Sequence, residues 1–183
     1  MNTVEPIRDT RHISAMKKAL HGRDLLLFTY GINSGLRISD ILTLKVGDIR
    51  NKDSIVVQET KTRKPKRFIF NDTIKKAVAD LIPATASDDE YVFKSRKGNN
   101  KPISRVAAYQ VLNAAAERAG IADKIGAIGT HTLRKTFGYH AYKKGVDIAL
   151  LQSIFNHSAQ SITLKYIGIN QDSIDEVYAN INL

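Results

Sequence analysis

Between Val46 and Phe70 the apolar residues change their period, and that change constrains the fold more than any other feature of the chain. VGDIR, the turn NKD, SIVVQET, the basic stretch KTRKPK and RFIF read as three short antiparallel strands. On both sides the pattern is helical. Residues 1–9 read as an extended lead-in, where Pro6 opposes helix, and Thr10 can cap a short helix ending near His21–Gly22. Leu25, Leu26, Phe28, Thr29 and Ile32 form a wide apolar stripe, predicting a helix from about Arg23 to Asn33 that Ser34–Gly35 break. Ser39 to Leu44 add one or two turns. After the strands, Asn71–Asp72 cap a helix carrying Ile74, Ala77, Val78 and Leu81, with Pro83 beyond its end. YVF is extended, KSRKGNNK is a basic loop, and Ser104 caps a helix through Val106, Tyr109, Val111, Leu112 and Ala116 that Gly120 stops. Residues 120–128 read as a loop. The class expected is α+β, mainly α-helical with a small three-stranded antiparallel sheet. No repeat or linker divides the 183 residues, so one domain is expected.

The stretch GTHTLRKTFGYHAYKKGVDIALLQSIFNHSAQSITLKYIG, from Gly129 to Gly168, concentrates the reactive side chains. His131 and Arg134 are three apart, and with Thr130 as cap they share one face near a helix N-terminus, the end that favours anions. Ile148, Leu151, Ile154 and Phe155 mark a second helix ending near Asn156 and His157, and Ile162, Leu164 and Tyr166 a third. The tail QDSIDEVYANINL places Ile174, Val177 and Tyr178 at helical spacing, as in a short amphipathic helix.

Charge narrows the partners. There are 28 Lys and Arg against 18 Asp and Glu, a net charge of +10, and an anion such as nucleic acid is the sharper reading of that excess. KTRKPK with the Arg67 that follows it, and KSRKGNNK, offer Lys64, Lys66, Arg67, Arg96, Lys97 and Lys101 as phosphate contacts. A charged edge that discourages aggregation is the plainer reading of the first loop. Without cysteine the chain has neither disulfides nor thiolate metal sites. The N-terminus lacks an apolar signal core and no apolar run is long enough to span a bilayer, so a protein acting in the cytoplasm, with no membrane, is expected.

Arg37, Lys61, His131, Arg134, His157 and Tyr166 together can handle a phosphodiester. Two arginines can fork N–H donors onto its non-bridging oxygens, where charge grows during transfer. A tyrosine phenol can attack phosphorus and form a covalent ester, provided a base or positive charge offsets its pKa of about 10. His131 suits a base or relay, Lys61 an acid for the departing sugar oxygen, and His157 a donor to a phosphate oxygen. Such an ester exchange conserves the bond and needs no ATP, and the histidines lack the neighbouring carboxylates of a metal site, so no cofactor and no metal are expected. Each residue also has a plainer reading: Arg37 as a surface partner of Asp40, His131 as a cap, Arg134 as a helix-surface cation, His157 as a helix terminus, and Tyr166 as one of seven tyrosines.

TYGINSGLRISDILTLKVGDI, QETKTRKPKRFIF, GTHTLRKTFGYH and LLQSIFNHSAQSITLKYIGI resemble segments of the tyrosine recombinases, the phage-type integrases, in order and at similar spacing. The resemblance runs from about Val4 onward. It assigns the first arginine to Arg37 in SGLRISD, supported by Asp40, and the hairpin lysine to Lys61 in QETKTR. It assigns the H-x-x-R pair to His131 and Arg134, the second histidine to His157 and the nucleophile to Tyr166. It implies the catalytic-domain fold of that family across 1–183, without the N-terminal core-binding domain that usually closes a clamp on DNA. The activity implied is site-specific strand cleavage and rejoining in double-stranded DNA through a 3′-phosphotyrosyl intermediate. The partners implied are DNA, further copies of the chain in a tetramer and accessory DNA-bending proteins, in a bacterial or phage-derived system. Two alternatives stay open. VDIALLQSIFNHSAQSITLKYIG also reads as a helix-turn-helix, hence a non-catalytic DNA-binding module, though this leaves Arg37, Lys61, His131 and Arg134 without a role. A type IB topoisomerase-like relaxing activity would use the same chemistry without strand exchange.

Overall fold

The computed structural model describes residues 4–58, 65–129, 131–169, 175 and 178–181. Helix α1 (Thr10–Ala19) is capped one residue earlier than expected, because the Asp9 carboxylate, not Thr10, accepts the Arg11 backbone N–H at 2.7 Å. Helix α2 (Gly22–Ser34) is the centre of the molecule, with Leu26, Leu27, Phe28 and Tyr30 at most 1% exposed. It ends where Gly35 takes φ 61°, the left-handed conformation that glycine adopts without Cβ strain. Helix α5 (Asp72–Leu81), capped by Asn71, helix α6 (Arg105–Arg118), capped by Ser104, and helix α8 (Thr132–Lys143) all pack on α2.

The expected three-stranded sheet is a two-stranded hairpin among the described residues. β1 (Ser54–Gln58) pairs antiparallel with β2 (Pro65–Ile69), Ser54 opposite Ile69 and Gln58 opposite Pro65. The first predicted strand is instead a helical turn, α4 (Val46–Ile49), which follows α3 (Ile38–Leu42). Val46 and Ile49 are both buried, a spacing of three that one helical turn satisfies and an alternating strand does not. The Asp48 carboxylate closes the turn by accepting the Lys45 N–H at 2.8 Å. Gly47 permits the close packing behind it, since a Cβ there would lie 2.9 Å from that of Asp88. The segment read as a loop over 120–128 contains another helical turn, α7 (Ala122–Ile125).

The last two helices, α9 (Ile148–Phe155) and α10 (Gln160–Tyr166), pack mainly on each other. Leu151, Phe155 and Ile167 form their own buried cluster, separate from the large core around α2. In the tail, Ile174 and Val177 lie outside the described residues, and Tyr178 is exposed. Among the described residues no helix is long and apolar enough to cross a membrane.

Candidate active site

Five of the six expected reaction-centre residues gather where α3, α8, α9 and α10 meet. Lys61 lies outside the described residues, as do Lys64 and the expected cap Thr130. His131 occupies the N-cap position of α8, so its ring projects from the helix end. Its Nδ1 is 3.0 Å from the Tyr166 hydroxyl, with the rings edge to face at 5.8 Å.

Arg134, one turn along, is 3% exposed. Its Nη1 donates to the Gly35 carbonyl at 2.6 Å and its Nη2 to the Phe155 carbonyl at 2.9 Å, while the guanidinium lies 4.7 Å from the centre of the Phe155 ring. One planar fork thereby ties the end of α2 to the end of α9, which a compact ammonium could not do. Arg37 stands at the N-cap of α3, half-buried, and its carbonyl accepts the backbone N–H of the buried Asp40 at 2.9 Å.

His157 follows Asn156, whose φ of 54° ends α9 in the left-handed conformation. Its Nδ1 is 3.0 Å from the hydroxyl of the buried Thr163, and Gln152 donates to its carbonyl at 3.1 Å. Burial lowers the His157 pKa below the ordinary value, and the charges of Arg134 and Arg37 push the same way.

Tyr166 is the last residue of α10, its ring edge-on to Phe155 at 5.4 Å and to His157 at 5.0 Å. Burial pushes the phenol up to about 12. Arg134, by charge and hydrogen bond, and Arg37, by charge, act against that rise. The site thus combines a desolvated phenol with the cations that can draw off its negative charge, an arrangement suited to nucleophilic attack on a phosphodiester.

The expected phosphate contacts do not form one group. Lys66 is half-buried on the inner face of β2 and donates from Nζ to the Ile154 carbonyl at 2.6 Å, so its charge serves the C-terminal end of α9. Arg67 is exposed on the outer face, and Arg96, Lys97 and Lys101 are exposed on the loop closed by the Ser95 N–H on the Lys101 carbonyl. Two contributors escape the sequence pattern. Thr163 orients His157, and Lys135, 5% exposed, holds its ammonium 5.4 Å from the centre of the Tyr166 ring. A lysine beside an arginine on a helix carries no signal of burial.

Fold and site define a helical domain that aims a tyrosine, two histidines and two arginines at one point. The model of the phage integrase family matches residues 7–172, and the chain belongs to that family, the tyrosine recombinases. It is 45% identical over 181 residues to the probable integrase/recombinase YoeC of Bacillus subtilis, covering 97% of each chain. It is 32% identical over 164 residues to the tyrosine recombinase XerD of Corynebacterium glutamicum, covering 87% of this chain and 52% of that one, so it spans about half the length of that relative. The crystal structure of XerA recombinase superposes with a TM-score of 0.77 at 20% identity, over 100% of this chain and 66% of that one.

Proposed function

We propose that this chain is a site-specific DNA recombinase that cuts and rejoins strands through Tyr166. The observation that carries the reading is the 3.0 Å contact between the Tyr166 hydroxyl and His131 Nδ1 beside the buried Arg134, in a chain of the tyrosine recombinase family. His131 takes the phenol proton as the oxygen attacks phosphorus. Arg37 and Arg134 hold the non-bridging oxygens as their charge grows, and His157 donates a ring N–H to one of them. Lys61 protonates the departing 5′ oxygen, leaving a 3′-phosphotyrosyl ester. A 5′-hydroxyl from another strand then attacks that ester, gives up its proton and expels the tyrosine. The ester bond is conserved, so the exchange needs no ATP.

Residues 1–183 serve as a single catalytic domain, and DNA engages the exposed Arg67, Arg96, Lys97 and Lys101 together with Lys64. The reading extends to a tetramer on two duplexes, assisted by accessory DNA-bending proteins. The net charge of +10 supports an anionic partner.

The test is a nicked suicide substrate whose freed strand diffuses away. The native chain should yield a denaturant-resistant protein–DNA band, and protease digestion should leave DNA on a peptide from TLKYIG. Tyr166→Phe removes one oxygen and should bind DNA without forming that band. An adduct that persists in Tyr166→Phe, or that maps to Tyr139, Tyr142 or Tyr178, overturns the assignment. Absence of any adduct on a cognate site favours the non-catalytic DNA-binding reading, and a two-site assay separates strand exchange from mere relaxation.

A further inference from the structure

The lead-in from Val4 to Asp9 is an extended strap along α8. Ile7 is buried, its N–H donates to the Thr136 hydroxyl at 2.9 Å, and its carbonyl accepts from His140 Nε2 at 2.9 Å. The Val4 carbonyl accepts from Lys135 Nζ at 2.8 Å. Beyond Tyr166, Arg8 Nη2 donates to the Gly168 carbonyl at 3.0 Å. The strap fits closely at both ends: a Cβ on Gly129 would lie 2.7 Å from Val4, and one on Gly168 would lie 3.1 Å from the Glu5 carboxylate. The strap therefore touches the chain on either side of the reactive tyrosine.

The ammonium that Val4 holds is the one against the Tyr166 ring. A lysine is seldom so far from water, and the common reason for a buried cation is a partner that needs its charge. A cation over an aromatic face is attracted by the ring, and more strongly once the phenol becomes a phenolate. We infer that Lys135 is a positioning residue for Tyr166, held by the N-terminal strap so that its charge orients the ring and favours the phenolate. This rests on the reading of Tyr166 as the nucleophile. The other groups facing the phenol are His131 and Arg134 from α8, His157 from the α9–α10 connection and Arg37 from α3. Burial lowers the Lys135 pKa, while the charge of Glu5 on the strap raises it and favours the charged form.

The experiment uses the full chain with its tyrosines replaced by difluorotyrosine, which lowers the phenol pKa into a range that a folded protein tolerates. Fluorine NMR then follows Tyr166, assigned by the signal missing in Tyr166→Phe. In Lys135→Met the Tyr166 signal should titrate about half to one and a half pH units higher than in the parent chain, the size of a partly desolvated cation–ring contact. Lys135→Arg should return it. Deleting residues 1–6, which keeps the buried Ile7, should reproduce the Lys135→Met shift. With unsubstituted protein, adduct formation at neutral pH should fall about threefold to thirtyfold in Lys135→Met with DNA binding intact, and should recover as pH rises. A Tyr166 titration unchanged by Lys135→Met overturns the inference, as does an adduct rate lowered equally at every pH and not restored by arginine. An unchanged titration after the deletion removes the strap from it. If the parent chain forms no adduct at all, the nucleophile reading falls, while the fluorine titration still decides the place of Lys135.

Discussion

The body of the molecule and the unit that carries the tyrosine are held together by different means. Around α2 the body buries Leu26, Leu27, Phe28 and Tyr30 in one continuous core that reaches from Ile7 to Leu133. The unit formed by α9 and α10 has Leu151, Phe155 and Ile167 as its fully buried apolar residues. Phe137, Ala141 and Tyr142 of α8 pack against that small cluster, and charged donors add fixed points of attachment: Arg134 between Gly35 and Phe155, and Lys66 on Ile154. Apolar burial is non-directional and makes a rigid scaffold, whereas a few charged donors on backbone carbonyls fix a position without a large interface. Tyr166 is thus placed on the part of the chain with the smallest core, where local opening costs least.

Arg134→Lys should have the largest effect, because the same guanidinium joins the two regions and faces the phenol. A single ammonium cannot reach both carbonyls, so cleavage should fall at least about a hundredfold, the scale of losing one transition-state donor. Each charged hydrogen bond lost also removes roughly 1.5–3 kcal/mol, so the melting temperature should drop as well. Near-normal cleavage would take Arg134 out of the phosphate grip.

Truncating one large side chain in each region comes next. Leu27→Ala should cost about 2–5 kcal/mol and lower the melting of the whole chain. Phe155→Ala should cost about 3–5 kcal/mol, but the loss should concentrate in the tyrosine unit. Native-state hydrogen exchange would then show α9 and α10 unprotected while α2 keeps its protection. Equal loss of protection in α2 would merge the two regions into one cooperative unit.

Two glycines sharpen the contrast more gently. A Cβ on Gly138 would lie 2.6 Å from both the Phe155 ring and Ile167, and one on Gly31 would lie 2.5 Å from Leu133. Each alanine substitution should cost about 1–3 kcal/mol through overpacking. Gly138→Ala, which pushes on the tyrosine unit, should reduce adduct formation more than it reduces melting temperature. Gly31→Ala, inside the body, should do the reverse. Identical ratios in the two variants would count against separate regions.

The smallest effect is a titration. His157 has a lowered pKa in the fold, so its protonation favours the unfolded chain. The stability associated with the neutral ring is present above the unfolded value of about 6.5 and is lost as pH falls through the lower folded value. Because the ring is half-exposed, the change should stay below the ~2–4 °C that 1 kcal/mol makes in a domain of this size. Scanning calorimetry from pH 7.5 to 5.5 should find this component in the native chain and not in His157→Asn. Rising stability on acidification, removed by the same substitution, would reverse the assigned shift.

The sequence by itself determined the longer helices and pointed to the residues that gather at the candidate site. Asn71 and Ser104 act as the caps their side chains suggest, and Gly35 ends α2 where its freedom of φ is needed. These are interactions between residues close along the chain, so spacing and side-chain type suffice to read them. Arg37, His131, Arg134, His157 and Tyr166 were also legible, because their order and intervals in the chain match those of a family.

Tertiary structure decided the rest. Val46–Ile49 is helical because Asp88 and the core accept one face of it, which alternation in the sequence could not reveal. Lys66, read as a phosphate contact on a basic tip, turns inward because a helix C-terminus lies within reach, 88 residues further along the chain. Lys135 is buried over Tyr166 because the strap at Val4 brings a carbonyl to it from 131 residues away. A charge declares its presence in the sequence, but the partner that determines its role is brought up only by the folding of distant segments.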